Sequence, residues 1–275
     1  MDQPNPTIPL TTDAYAPAQI AMRVRDGGVA KADLPIPTMF ALAVLAGAFV
    51  ALGALFFTVT ITTGGTTPAP FGLLRLAGGI AFSLGLILVV VGGAELFTGN
   101  NLIAMAWASG RVTTRQVIRN WGWVYLGNLV GAMGTALLVW LAGVQSMSDG
   151  AVGETMVQIA RAKVSLDPVS ALARGILCNV LVCLAVWLCM AARGVADKIL
   201  AIVFPISAFV ACGFEHSVAN MYFLPIGMIL TSASAAPISL SGAISNIALV
   251  TVGNILGGTV LVALVYWSVY LRKTG

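Results

Sequence analysis

The sequence predicts an all-α polytopic membrane protein with six transmembrane helices in two inverted halves of three, in which helices 2 and 5 are broken. Only 9% of the 275 residues are charged, 59% are hydrophobic and the mean hydropathy is +0.96, so charged groups are too few to cover a water-soluble globule. Several apolar runs reach the length of about 18 residues that a membrane-spanning helix needs, and the alternating segments of a membrane barrel are missing. A polar motif also occurs twice inside these runs.

The duplicated motif has the spacing Gly-x-Glu-x-x-x-x-Asn. It occupies residues 93–100 (GAELFTGN) and, 120 residues later, residues 213–220 (GFEHSVAN). Glu95 and Glu215 are the only acidic residues in the hydrophobic stretches, and His216 is the only histidine of the chain. Ionisable groups at membrane depth are costly, so their presence indicates a functional site. The glutamates also have a structural interpretation, as acceptors for N–H groups exposed where a helix breaks, and we favour it over proton carriage.

The first 36 residues are expected to form a cytoplasmic tail. They contain no apolar core near their start, which argues against a cleaved signal peptide. Within the tail, residues 14–32 mix apolar and basic side chains and suit a short helix on the membrane surface or against a neighbour. The Gly27-Gly28 pair weakens that helix prediction.

The channel domain is predicted to cover residues 37–271, as halves 37–143 and 169–271, followed by a short C-terminus at 272–275. Four connections separate the predicted spans. A turn-rich stretch at 64–70 ends span 1, and a basic loop with Arg111, Arg115 and Arg119 precedes span 3. A polar connection at 144–168 joins the two halves, and a Ser/Ala/Gly-rich link at 231–245 precedes span 6. The predicted spans are 38–63, 71–91 resuming at 102–108 after a break, 121–141, 169–192, 199–230 with a break at 213–220, and 247–270. Backbone unwound at membrane depth must face a cavity or other protein, because lipid cannot satisfy its polar groups.

Basic residues set the predicted orientation. With six spans, ten of the 14 Lys and Arg fall on the side of the termini and four on the opposite side, so both termini are expected in the cytoplasm. The four opposite residues are Arg75, Arg161, Lys163 and Arg174. The basic excess therefore indicates topology and gives no sign of nucleic-acid binding.

A second element repeats between the halves: residues 127–131 (GNLVG) in span 3 and 253–257 (GNILG) in span 6. Halves with an odd number of spans must insert in opposite orientations, which is the plan in which broken helices meet near the midplane. Gly-x-x-x-Gly elements also serve simply as close-packing faces.

No enzyme, metal or cofactor motif is found. The four cysteines, Cys178, Cys183, Cys189 and Cys212, lie in apolar segments without metal-ligand spacing, and we interpret them as buried filler thiols. With one histidine and no paired carboxylates facing water, the chain offers no set of catalytic groups. The prediction is therefore a non-enzyme without catalytic residues, metal ligands or cofactors.

With these residues laid out, the chain resembles the formate/nitrite transporter family of bacterial membrane channels. The resemblance is carried by the two Glu motifs and by residues 179–187 (NVLVCLAVW), and it covers residues from about 20 to 272. It implies an aquaporin-like protomer, a homopentamer with one pore per protomer in the cytoplasmic (inner) membrane, and passage of formate, nitrite or hydrosulfide. The chain lacks the Asn-Pro-Ala pair of an aquaporin proper.

The resemblance also implies the pore residues. His216 is similar to the family's central histidine, Thr98 to its threonine, and Lys163 with Asn179 to an anion-attracting cluster. Two hydrophobic constrictions are implied, one formed by Phe82, Leu86 and Phe209, the other by Leu96, Phe97 and Val182. Without the resemblance, Lys163 in its polar loop would be interpreted as a solvated charge. Glu95, Gly99 and Asn100 depart from some formate channels, which leaves the preferred anion open.

The leading hypothesis is proton-linked passage of formate. An ion stripped of water in an apolar constriction is very costly, whereas protonating an acid of pKa near ~4 at pH 7 costs roughly 4 kcal/mol. Lys163 would gather the anion, with Asn179 as a polar helper, and the proton would come from His216 or through water. Histidine suits a relay because its ordinary pKa lies near ~6.5. A nitrite or hydrosulfide channel and a neutral-solute pore remain the alternatives.

Overall fold

The computed structural model describes residues 13–63, 70–232 and 236–272. Residues 1–12 of the N-terminal tail, the turn at 64–69, residues 233–235 of the link before span 6 and the last three residues lie outside these ranges. Within them, the chain forms α-helices joined by short connections: α1 (Pro17–Asp33), α2 (Ile36–Ile61), α3 (Phe71–Gly92), α4 (Ala104–Ala108), α5 (Thr114–Leu141), α6 (Ala151–Val164), α7 (Pro168–Ala191), α8 (Val195–Ala211), α9 (Ser217–Thr231), α10 (Leu240–Ile255) and α11 (Val265–Tyr270).

Five helices in the described part of the chain are long and apolar enough to cross a membrane: α2, α3, α5, α7 and the continuous run Leu240–Tyr270. That run joins α10 to α11 through a π-helical stretch, Leu256–Leu264. The remaining predicted span, span 5, consists of two shorter apolar helices, α8 and α9, on either side of the second Glu motif. The first Glu motif separates α3 from a 3₁₀ turn, Gly99–Ile103, that continues into α4.

Each break begins at a glycine with a left-handed backbone. Gly93 ends α3 with φ of 79°, and Gly213 follows α8 with φ of 72°. A side chain is strained at such a φ, so glycine is favoured at both positions. The residues that follow leave helical geometry and carry Glu95 and Glu215 through the middle of the protein.

Several helices begin earlier than predicted or replace a predicted loop. Arg115 and Arg119 belong to α5, which starts at Thr114 because Thr113 and Gln116 form a capping box. Span 6 starts at Leu240 and not near residue 247, because the Ser239 hydroxyl caps its first turn. The polar connection at 144–168 contains a full amphipathic helix, α6.

The tail helix runs through Gly27-Gly28 without interruption. It spans Pro17–Asp33, and Gly28 lies against the backbone of Ile103 and the methyl group of Ala106. The second glycine is therefore a close-packing position and not a helix breaker. The helix lies against the protein, one of the two placements expected for it.

The repeated Gly-Asn elements pack helices within each half. A Cβ atom on Gly131 would collide with the Val44 carbonyl of α2, and one on Gly257 would collide with the Ile176 carbonyl of α7. Corresponding glycines thus allow corresponding helices to approach closely, as expected of a small-residue face.

Candidate functional site: a broken-helix anion pathway

One asparagine in each half holds the unwound backbone of the adjacent break. Asn128 donates from Nδ2 to the carbonyls of Ala43 (2.8 Å) and Glu95 (2.9 Å), and its Oδ1 accepts from the Phe97 N–H (2.9 Å). Its Nδ2 and Oδ1 therefore bond the unwound backbone at Glu95 and Phe97, and a second Nδ2 bond ties this backbone to α2 at Ala43. Lipid could not supply these bonds, so the asparagine makes the break possible at this depth.

Asn254 repeats the arrangement in the second half. It donates to the carbonyls of Gly175 (2.8 Å) and Glu215 (3.0 Å) and accepts from the Ser217 N–H (2.9 Å). Asn128 and Asn254 are the asparagines of the repeated Gly-Asn elements. These elements therefore support the breaks as well as the packing.

Glu215 is held by a cation and an amide. Lys163 Nζ lies 2.9 and 3.1 Å from its two carboxylate oxygens, and Asn220 Nδ2 donates to Oε2 at 2.7 Å. Asn246 links this group to α6, because its Oδ1 accepts from Asn220 and its Nδ2 donates to the Lys163 carbonyl. The Lys163 side chain is only 13% exposed, so its interpretation as a solvated loop charge is wrong.

Glu95 has a matching set of partners. Lys31 Nζ lies 2.5 Å from Oε1, and Asn100 Nδ2 donates to Oε2 at 2.7 Å. Asn120 accepts from Asn100 and donates to the Lys31 carbonyl, as Asn246 does in the other half. The repeat therefore includes the short helices α1 and α6, each of which delivers a lysine to the glutamate of its half.

Lys31 is a site residue that the sequence reasoning missed, because it was assigned to the tail. A signal was present. Lys31 and Lys163 each lie near the end of a short amphipathic segment, a few residues before a proline that opens a spanning helix, Pro35 and Pro168. This correspondence predicts equivalent roles once α6 is recognised as a helix.

Thr98 and His216 join the two halves by a direct contact. Thr98 Oγ1 lies 2.9 Å from His216 Nε2, and both side chains are buried. His216 also caps α9, since its Nδ1 accepts from the Ala219 N–H at 3.1 Å. A nitrogen that accepts carries no proton, so the imidazole is neutral in this arrangement and donates from Nε2 to the threonine oxygen. The Thr98 hydroxyl proton is then free for a substrate.

Two cavities flank the motifs. The Lys163 cavity has a volume of about 210 Å³, and the Lys31 cavity about 180 Å³. Predicted site residues that line the first are Phe82, Lys163, Phe209, Glu215 and His216, and those that line the second are Leu86, Glu95 and Leu96. Each cavity therefore combines a Lys-Glu pair with apolar walls.

Aromatic side chains narrow the Lys163 cavity. The rings of Phe82 and Phe209 meet edge to face with centroids 5.5 Å apart, and Phe209 stacks on the His216 imidazole at 6.0 Å. Leu86, expected beside these phenylalanines, lines the other cavity. The first predicted constriction thus brings Phe82 and Phe209 next to His216.

The remaining predicted residues lie in the core around the first break. Phe97 packs edge to face on Tyr125, with centroids 4.9 Å apart, and Phe97 and Val182 line neither cavity. Asn179 also lines neither cavity. Its Nδ2 donates to the carbonyls of Thr98 (3.2 Å) and Asn254 (2.7 Å) and to Asn101 Oδ1 (2.8 Å). Asn179 therefore holds the backbone of Thr98.

Known proteins are similar to this chain in sequence and architecture. Residues 18–268 match the family model described as Formate/nitrite transporter. "Formate channel FocA" of Escherichia coli (strain K12) is 44% identical over 276 residues, which cover 95% of this chain and 96% of that protein. A solved "Pentameric formate channel with formate bound" superposes with a TM-score of 0.77 at 38% identity, covering 86% of this chain and 98% of the other. An "FNT family ion channel" gives 0.81 at 30% identity, covering 91% and 98%.

The fold and the paired broken helices define a membrane transport protein of the channel type, with an aquaporin-like inverted repeat, and not an enzyme. The chain belongs to the formate/nitrite transporter family. The predicted fold class and the resemblance drawn from the Glu motifs are both confirmed.

Proposed function

We propose that this protein conducts small monovalent weak-acid anions, formate foremost, across the bacterial cytoplasmic membrane, and that passage is linked to protonation beside His216. The observation that carries the proposal is the Thr98–His216 contact, which lies next to a cavity where a lysine can attract an anion. The formate channels among its relatives support the substrate. The pentameric neighbour supports a homopentamer with one pore in each protomer.

The two paired lysines supply attraction without trapping the ion. Lys163 is paired with Glu215, and Lys31 with Glu95, so each pair adds little net charge to its cavity while the lysine offers ammonium donors. A permeating anion must bind well enough to enter and weakly enough to leave. The equivalent sets on both sides suit passage in either direction.

The central pair presents hydrogen-bond donors to the substrate. If an anion displaces the bond between them, it can accept from His216 Nε2–H and from the Thr98 hydroxyl. For the imidazole to become an acid, its Nδ1 must take a proton and release the Ala219 N–H, which removes the α9 cap at a cost of about 1 kcal/mol. The alternative proton source is water in the cavity, and the neutral acid then crosses the apolar constriction.

The test is uptake of radiolabelled formate into proteoliposomes between pH 5 and 8, roughly the range over which histidine titrates. The key variant is His216→Asn, because the asparagine Oδ1 can still accept from the Ala219 N–H and cap α9 but the side chain cannot titrate. We expect its uptake to lose the native pH dependence while the protein stays folded. Unchanged pH dependence would remove His216 from the proton path.

Substrate choice is tested in the same vesicles. Nitrite and hydrosulfide replace formate one at a time, and an internal pH indicator records accompanying protons. Faster movement of either anion than of formate would change the assignment within the family. Solute movement without any proton signal would favour the neutral-solute pore.

A further inference from the structure

Arg75 of α3 and Arg174 of α7 bring their guanidinium groups to one place in the wall of the Lys163 cavity. A Cβ atom built on Gly213 would lie 3.4 Å from Arg75 Nη2 and 3.8 Å from Arg174 Nη1. Both arginines line the cavity that also contains Lys163 and His216. Because Gly213 has no side chain, nothing of that residue separates the two cations.

Backbone carbonyls hold the arginines in position. Arg75 donates from Nε to the Ala211 carbonyl at 3.1 Å and from Nη2 to the Val210 carbonyl, so it caps the end of α8. Among the described residues, the Arg174 side chain makes one hydrogen bond, a long one of 3.4 Å from Nη1 to the Gly213 carbonyl. A guanidinium carries five N–H donors, so several on each arginine are left for a ligand.

In the described ranges 13–63, 70–232 and 236–272, no carboxylate forms an ion pair with either arginine. The ion pairs there are Arg25 with Asp26, Lys31 with Glu95, and Lys163 with Glu215. Adjacent like charges repel one another, and this repulsion falls when an anion lies between them. The two arginines therefore lie beside the proposed anion pathway without an acidic partner among the described residues.

We propose that Arg75 and Arg174 form an anion-binding subsite for a small monocarboxylate at the mouth of the Lys163 cavity. The planar fork of a guanidinium matches the two oxygens of a carboxylate, a match that a single-atom anion such as hydrosulfide cannot make. The subsite concentrates carboxylates beside Lys163 and favours them over single-atom anions. The role of the subsite in delivering carboxylates to Lys163 rests on the proposed transport function, whereas the binding of carboxylate by the two arginines does not.

Cys212 gives a measure of binding that is independent of transport. It is exposed and directly precedes Gly213, whereas the other cysteines are buried. In detergent-purified protein, a negatively charged methanethiosulfonate reagent should modify Cys212 about two- to fivefold faster in the native protein than in Arg174→Gln. Formate added at constant ionic strength should slow the modification of Cys212 in the native protein and leave its rate in Arg174→Gln unchanged.

The controls separate a specific subsite from general positive charge. Arg161→Gln removes an exposed cation near the Ala236 carbonyl, away from Gly213, and should behave as the native protein. Arg174→Gln keeps the Arg75 cap on α8, so folding is preserved, and Arg75→Lys keeps the charge without the fork. Equal labelling in Arg174→Gln and native protein, or equal competition by formate and chloride, would overturn the proposal.

Transport kinetics test the delivery role. For formate entering from this side, Arg174→Gln should raise the apparent KM about two- to fivefold with an unchanged maximal rate, and Arg161→Gln should not. An unchanged KM in Arg174→Gln would refute delivery. If the native protein itself moves no formate, the proposed function fails, and the Cys212 competition still decides whether the arginines bind carboxylate.

Discussion

Thr98 and His216 come from opposite halves of the repeat and meet with Oγ1 and Nε2 2.9 Å apart. The halves are not equivalent here. At the repeat offset of 120 residues, Thr98 corresponds to Val218 and His216 to Leu96. Each half therefore contributes one polar group where the other has an aliphatic side chain, and the pair exists only when both halves fold together.

Thr98→Val tests the hydrogen bond at the centre. Valine has the same shape, so the fold should persist while His216 Nε2–H loses its acceptor. A lost buried bond costs about 1 kcal/mol, and we expect formate uptake in proteoliposomes to fall about fivefold or more. Thr98→Ser should retain most of the native rate. If valine and serine reduced uptake equally, the hydroxyl would not be the important group.

Lys163→Met should destabilise the protein more than Lys31→Met. The Lys163 side chain is 13% exposed and that of Lys31 is 34%, so loss of Lys163 leaves a more deeply buried carboxylate without its cation. Breaking a buried pair from one side costs about 3 kcal/mol. Thermal unfolding in detergent measures the difference.

A double variant identifies why Lys163→Met is less stable than the native protein. Glu215→Gln added to Lys163→Met removes the uncompensated charge and should recover much of the melting temperature. A double variant as unstable as Lys163→Met would mean that packing of the lysine stem, and not the charge on Glu215, is responsible.

Asn128→Asp tests the support of the first break. Aspartate keeps the acceptor for the Phe97 N–H but replaces the Nδ2 donor with an oxygen that faces two carbonyls. Leaving buried groups unpaired costs about 1–3 kcal/mol each, so unfolding should shift to clearly lower temperature. Gln158→Ala, at an exposed position on α6, serves as the control and should have no measurable effect.

Gly131→Ala and Gly134→Ala form a matched pair on α5. A methyl group on Gly131 meets the Val44 carbonyl, whereas nothing lies within 4 Å of one on Gly134. Overpacking costs about 1–3 kcal/mol, and alanine in an open helical site adds up to about 1 kcal/mol of stability. The first variant should therefore melt below the native protein and the second at or above it. Equal melting temperatures would contradict close packing of α2 on α5.

Sequence reasoning located the spans and their breaks because these follow from local chemistry. Apolar length indicates a crossing, Gly93 and Gly213 indicate a change of backbone, and a repeated glutamate at membrane depth indicates a special site. The first residues of helices are harder to predict from sequence than the spans themselves. Thr113 and Ser239 cap helices whose first turns contain polar or basic residues, and polarity there was interpreted as a loop.

The sequence by itself determined that this chain crosses a membrane as two related halves with interrupted middle helices, since composition and a repeat spaced 120 residues apart suffice for that inference. Only the tertiary structure decided which residues are partners. Lys31 pairs with Glu95, Asn179 bonds the Thr98 carbonyl, and a neutral His216 caps α9. These contacts join residues far apart in the chain. Their geometry depends on how helices from both halves pack, which no local pattern encodes.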